Sequence, residues 1–365
     1  MPRTSQWRLV DPLHYLSRDG GMKALRLYGV KDLRLEEIDR PVPRDGEVVL
    51  KVSAAGICAT DLKAYNYGSR TKVPVTLGHE VAGVVVDAGK GREELLNKRI
   101  TLNPNIFCGS CVYCLRGEHV LCPKRYAIGI DVDGGFAEYM VIPAAAFTVG
   151  CVQEIPDWIS MEEAALVEPL SDCLRGQLKL GLSAGDSLAI FGAGPIGLMH
   201  LLLAKTLGLS KIIMCEKSEV RARFAERLGA DHVILLSEGV DVAKEVQRLT
   251  DGEGADAVVV AVGVPDAQRD ALRVVRPGGA VNYFAGLPAG VKGVEIDTNI
   301  IHYKQIRVLG TSMSTPSEFK KALNIVASGR IDLKLLISMC LPLLEGVNGF
   351  SEAQKLENLR IILNP

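Results

Sequence analysis

Apolar positions along the chain fall into two textures. Between residues 22 and 150 the apolar runs are short, rich in β-branched residues and closed by glycine: MKALRLY, VVLKVSAAGI, EVAGVVVDAG and GGFAEYMVI. Runs of that kind read as strands, so this part of the chain is predicted to be β-rich. From about Gly181 the texture changes. SLAIF, KIIMCE, DHVILL, DAVVVAVG and AVNYFAG are mostly separated by stretches of helical character such as RARFAERLG and DVAKEVQRL. Strands alternating with helices predict a parallel, doubly wound sheet. A further strand, QIRVLG, follows near residue 310, and the tail holds a helix, SEFKKALNIVASG, and a last strand, LRIIL. No internal repeat or low-complexity tract interrupts the pattern. The first 21 residues form an extension with no readable role.

Composition narrows the class. The chain has 365 residues, enough for about two domains, and 48% of them are hydrophobic. The formal net charge is −1, and neither a basic stripe nor an acidic block is present, which argues against a nucleic-acid partner. The longest apolar stretch, Leu188 to Leu203, is broken by Gly192, Gly194, Pro195, Gly197 and His200, so no membrane span is expected. Met1 to Gly21 lacks a long apolar segment of the signal-peptide type. Of nine cysteines, Cys58, Cys151, Cys173, Cys215 and Cys340 are scattered. Scattered thiols beside a metal-spaced set suit a reducing compartment, so a cytoplasmic protein is expected.

The remaining four cysteines are Cys108, Cys111, Cys114 and Cys122, in FCGSCVYCLRGEHVLC. The C-x2-C-x2-C-x7-C spacing lets four thiolates converge on one tetrahedral zinc. A four-sulfur shell is closed, so this metal would hold a lobe together and do no chemistry.

A second motif follows the strand SLAIF. Gly192, Gly194, Pro195, Ile196 and Gly197 belong to GAGPIG, and the apolar run IGLMHLLLAKTLG continues it as a helix. The first glycine allows a tight turn, the second lets backbone approach a pyrophosphate, and the third lets helix and strand pack closely. Glu216 ends the next strand, nineteen residues after Gly197. A carboxylate there accepts bonds from both adenosine ribose hydroxyls and repels a 2′-phosphate, which favours NAD over NADP. Lys217 and Arg221 are cations nearby that could host a phosphate.

Three segments carry candidate ligands for a reactive metal: GICATD with Cys58, Thr60 and Asp61, LGHE with His79 and Glu80, and LVEPL with Glu168. Thiolate, imidazole and carboxylate make a mixed shell that suits zinc as a Lewis acid.

GICATD, GHE, CGSCVYC, GGFAEYMVIP, EEAALVEPL and GAGPIG occur together and in this order. With them, residues 22 to 363 resemble the zinc-dependent medium-chain alcohol dehydrogenase family. VEPL and NIIHYKQIRVLG are similar to the sorbitol (L-iditol 2-) dehydrogenase branch, with the threonine dehydrogenase branch close behind. The resemblance implies an α/β chain with a doubly wound Rossmann sheet inserted in a GroES-like β-barrel catalytic domain. The expected organisation is an extension at 1–21, a catalytic domain at 22–170 with its structural zinc lobe at 108–122, an NAD-binding domain at 171–311, and a completing segment at 312–365. It implies two zinc ions per chain. Cys58 and His79 would hold the catalytic one, with Glu80 or Glu168 as third ligand, while Cys173 is expected to be core. Many relatives carry a histidine where this chain has Lys63, which would complete a proton relay, contact substrate oxygens or lie on the surface.

The implied reaction is reversible oxidation of a secondary alcohol of a polyol, cyclitol or sugar to a ketone. Thr60 would accept the alcohol proton and pass it outward through the cofactor ribose or Lys63, and Asp61 would organise the ligand loop. Val262, Ala285, Gly286, Leu287, Thr311 and Ser312 are expected around the cofactor. Tyr65, Tyr67 and Arg70 could line the pocket. The alternatives are an L-threonine 3-dehydrogenase, a sugar-phosphate polyol or glucose dehydrogenase, and a non-catalytic zinc- and nucleotide-binding protein. The family's usual assembly implies a homodimer or homotetramer, joined through the sheet edge formed by VEIDTNIIHYKQIRVLG.

Overall fold

The computed structural model describes residues 20–68, 71–288, 290–291 and 293–365. Arg70 and most of the N-terminal extension therefore lie outside the described residues.

The alternation of strands and helices after Gly181 folds as the pattern requires. Six parallel strands stand in the order His232–Leu235, Lys211–Glu216, Ser187–Phe191, Ala255–Val260, Val275–Tyr283 and Arg307–Gly310. Numbered along the chain, that order is third, second, first, fourth, fifth, sixth. The order reverses direction beside Ser187–Phe191, which opens a crevice at the carboxyl ends of the strands. Ser187–Phe191 is buried at every position, as a central parallel strand must be. The helix Pro195–Thr206 covers one face; Leu198, Met199 and Leu201 join the core there.

The β-rich part forms a second unit with its own core. Its seven-stranded sheet runs Val152–Glu154, Arg99–Leu102, Glu80–Ala88, Val48–Gly56, Arg360–Asn364 and Ile337–Pro342, with Tyr139–Ile142 also paired to Val48–Gly56. A three-stranded sheet of Asp32–Asp39, Gly21–Gly29 and Val75–Thr76 packs with it. The C-terminal strand is thus an inner strand, antiparallel to Val48–Gly56 and parallel to the edge strand Ile337–Pro342.

One expected strand is shorter than its sequence suggests. In GGFAEYMVI only Tyr139–Ile142 is regular strand. A Cβ at Gly134 would strike the Gly78 carbonyl, and one at Gly135 would strike Val81. Gly134 thus serves a close crossing of two backbones, and Gly135 makes room for the Val81 side chain. Among the described residues no helix is long and apolar enough to cross a membrane.

Candidate active site

Strand register builds the candidate centre. Gly56 lies opposite Glu80, and Ile362 lies opposite Gly56. Three neighbouring strands therefore end at one place. Cys58 follows the first, His79 precedes the second, and Arg360 opens the third. Cys58, His79 and Glu80 each offer a ligand atom within 4.8 Å of the others.

Asp61 holds this arrangement. Cys58 is the N-cap of the helix Ala59–Tyr67, with extended backbone. Asp61, three residues on, accepts the Cys58 N–H at 2.9 Å, and its other oxygen lies 3.4 Å from His79 Nδ1. A carboxylate on one ring nitrogen leaves the other free for a metal, the usual outer support of a histidine ligand. This agrees with the organising role expected of Asp61. Burial opposes charge on His79, but Asp61 and Cys58 outweigh it and hold the imidazole well above its ordinary pKa. Burial likewise pushes the Cys58 thiol up, yet His79 and Arg360 bring it down to about 7. A thiol poised toward thiolate, beside an imidazole and a carboxylate, fits a zinc ion.

Glu80 is fully buried and ion-paired with Arg360, itself only 4% exposed. Gly56 makes room for this pair, since a Cβ there would collide with the Glu80 carboxylate. The second Glu80 oxygen, Oε1, is buried with no partner among the described residues. Arg360 is a site residue that sequence reading missed. It sits in no motif, and its partner is 280 positions away.

Glu168 lies in the first turn of the helix Val167–Leu180 and is buried. It is outside the 4.8 Å set, yet the site's charges reach it. Burial, then Asp172, raises its carboxyl well above the usual range, with His79 opposing. Asp172 was not foreseen either; burial pushes it up to about 7, and the Ser314 hydroxyl, Cys58 and His79 are its neighbours. Thr60 is half-buried in the first turn after Cys58. Lys63 is exposed on the same helix. Tyr67 is exposed, whereas the Tyr65 ring packs edge-on against Phe350 at 5.5 Å. Cys173 is buried in the core between sheet and helices.

The four-cysteine lobe closes on itself. Sγ–Sγ distances are 3.5 Å for Cys111 and Cys114, 3.6 Å for Cys108 and Cys122, and 3.9 Å for Cys108 and Cys114. Four sulfurs at about 2.3 Å from a tetrahedral zinc stand roughly 3.8 Å apart, so the donor set fits. A bond from the Ser110 backbone helps bring Cys108 down to about 6, while burial pushes Cys114 up to about 12.

The glycine motif sits in the crevice. Gly192 turns with φ 96°, and Gly197 approaches the Gly192 carbonyl too closely for any Cβ. Space above Gly194 is bounded by the Arg221 guanidinium, 3.5 Å from where a Cβ would stand. Val262, Ala285–Leu287 and Thr311–Ser312 follow the ends of three further strands of the same sheet. Val262 flanks Gly192. Asn282 donates to Thr311 Oγ1 at 2.8 Å. Glu216 accepts the N–H groups of Ala193, Lys217 and Ser218 at 2.6, 2.7 and 2.8 Å. About four acceptor positions exist on a carboxylate, so bonding both ribose hydroxyls requires exchange of one of these.

Comparison with known proteins shows the family. Residues 44–156 match the alcohol dehydrogenase GroES-like domain, and residues 195–328 match the zinc-binding dehydrogenase family. L-threonine 3-dehydrogenase of Pyrococcus abyssi is 37% identical over 323 residues, covering 87% of this chain and 89% of that one. The chain belongs to the zinc-dependent medium-chain alcohol dehydrogenase family. Sorbitol dehydrogenase of Bacillus subtilis is 30% identical, covering 94% of this chain and 97% of that one. A solved structure, a zinc-binding dehydrogenase from Sinorhizobium meliloti bound to NADP, superposes with a TM-score of 0.89 at 34% identity, covering 95% of this chain and all of that one. As a member of this family the chain is an oxidoreductase that uses zinc and a nicotinamide cofactor.

Proposed function

We propose that this dehydrogenase oxidises a secondary alcohol to a ketone with NAD, and that L-threonine, oxidised at its 3-hydroxyl, is its substrate in preference to a polyol. The observation that carries the reaction is the convergence of Cys58, His79 and Glu80 within 4.8 Å, with Asp61 behind the imidazole. The choice of threonine over polyols rests on the relatives, since the threonine dehydrogenase is 37% identical and the sorbitol dehydrogenase 30%. It reverses the order in which the motifs VEPL and NIIHYKQIRVLG rank the two branches.

When bound, zinc supplies Lewis acidity that lowers the pKa of the alcohol, and the nicotinamide accepts hydride. Cys58 and His79 would be its ligands. Glu80 is near enough for the third position but is held by Arg360. Glu168 has no such counter-cation among the described residues, so we assign it the third position, directly or through a water. Thr60, two residues past Cys58, accepts the alcohol proton and passes it toward solvent. Gly192, Gly194, Pro195, Ile196 and Gly197 cradle the pyrophosphate with Arg221, and Glu216 takes the ribose. The buried carboxylate of Glu216 supports NAD over NADP. The cysteine lobe would hold the second zinc. The strand Arg307–Gly310 ends its sheet with Val308 exposed, and we assign that edge to a homodimer or homotetramer contact.

The test is NADH formation at about 340 nm by zinc-replete protein offered L-threonine, sorbitol, xylitol and myo-inositol, with NAD and NADP side by side. Threonine turnover with NAD that is lost on chelation is expected. Thr60→Val should lower kcat by about a hundredfold or more, whereas Thr60→Ser should keep most of it. A polyol turned over faster than threonine would overturn the substrate assignment, and retention of activity in zinc-free protein would overturn the chemistry.

A further inference from the structure

The helix Val167–Leu180 carries Glu168 and Asp172 one turn apart on the same face, so the two carboxylates are neighbours. Asp172 Oδ1 is buried with no hydrogen-bond partner among the described residues. The charges it faces are Cys58, His79 and Glu318. Each is already engaged. Cys58 and His79 face each other and Asp61, and Glu318 pairs with Arg175 at 3.2 Å. A metal at Cys58 and His79 would answer the charge of Glu168. No cationic side chain among the described residues pairs with Asp172. Asp172 as a whole is half-buried, but an enclosed carboxylate oxygen left unmatched beside a second carboxylate is costly to keep. Such a group makes physical sense if its cation arrives with the substrate.

We propose that Asp172 is the substrate-recognition carboxylate, binding an ammonium group on the carbon next to the reacting alcohol, so that vicinal amino alcohols are the substrate class. This rests on the reaction assigned above to the Cys58–His79 centre. An ammonium gives Asp172 an opposite charge as well as a hydrogen bond, whereas a diol hydroxyl gives the carboxylate a hydrogen bond alone. A site built around that bond discriminates strongly against analogues that lack the group. Lys63, exposed on the helix Ala59–Tyr67, is a separate group and takes no part in this contact.

The experiment compares matched pairs on the full zinc-replete chain: 1-amino-2-propanol against 1,2-propanediol, and L-threonine against 2,3-dihydroxybutanoate. Wild type is expected to prefer the amino member of each pair. Asp172→Asn should lower kcat/KM for the amino alcohols by about a hundredfold and for the diols by less than about threefold. Asp172→Glu should recover part of the loss. A second readout is the rise in melting temperature of the NADH-loaded protein with each compound; the rise with 1-amino-2-propanol should vanish in Asp172→Asn. An equal effect on both members, or none on either, overturns the proposal. So does loss of a zinc ion in Asp172→Asn, which would make the carboxylate a servant of the metal. The two levels separate cleanly. Diol turnover without binding or turnover of the amino alcohol sinks the role of Asp172 and leaves the dehydrogenase reading standing. Asp172-dependent binding of the amino alcohol without turnover of any compound upholds the role and sinks that reading.

Discussion

Arg360 and Glu80 form a buried ion pair directly behind the candidate metal centre, across 280 positions of sequence. Two charges taken out of water are tolerated only together. Arg360→Met leaves Glu80 buried without its cation and is expected to lower unfolding free energy by about 3–5 kcal/mol. Adding Glu80→Gln to that variant should restore much of the loss. Urea unfolding of the two single variants and the double variant closes the cycle.

The cysteine lobe makes its own prediction. Cys114→Ser should reduce bound zinc from about two per chain to about one, read by metal analysis. Burial pushes Cys114 up to about 12, so its thiol must give up a proton when zinc binds. Affinity of the lobe for zinc should therefore rise with pH. Competition with a chelator at about pH 6.5 and about pH 8.5 should find the lobe more easily stripped at the lower value.

Glu216 is expected to govern the choice of cofactor. Glu216→Gln keeps the shape of the side chain and removes its charge. It should raise KM for NAD about tenfold while changing KM for NADP less, because one strong acceptor and one repulsive charge disappear together. Steady-state kinetics with both cofactors read the ratio.

Acid should destabilise the fold through His200. This residue is fully buried on the helix Pro195–Thr206, and burial holds its pKa down to about 3. Its ordinary value is about 6.5. Between those values the unfolded chain takes up a proton that the folded chain refuses. Stability from this group is complete above about pH 6.5 and declines toward about pH 3, by roughly 1.4 kcal/mol per pH unit. His200→Gln should show a shallower fall in urea midpoint than wild type between about pH 7 and about pH 5.

What could be read in advance follows from distance along the chain. GAGPIG and the four cysteines are local patterns whose chemistry is written in their spacing, and the parallel sheet follows from alternating textures. Arg360 and Asp172 were not visible, because each acquires its meaning from side chains far off in sequence. Arg360 resembles any surface arginine until the strand Arg360–Asn364 inserts beside Val48–Gly56. Asp172 resembles any helix carboxylate until its helix packs beside Cys58 and His79. Tyr65 stands between the two cases. Its place after Cys58 suggests a pocket, and its half-buried ring also packs edge-on against Phe350.

The inner position of Arg360–Asn364 in its sheet also sets a timetable. A ribosome adding about 5–20 residues per second needs roughly 15–55 s to travel the 280 residues from Glu80 to Arg360. During that interval the nascent chain carries Glu80 without its counter-charge and a sheet missing an inner strand. The doubly wound unit, encoded in between, can fold meanwhile. The candidate metal centre therefore has its thiol, imidazole and carboxylate groups long before Arg360 arrives to neutralise Glu80, and it is complete only after the doubly wound unit has been made.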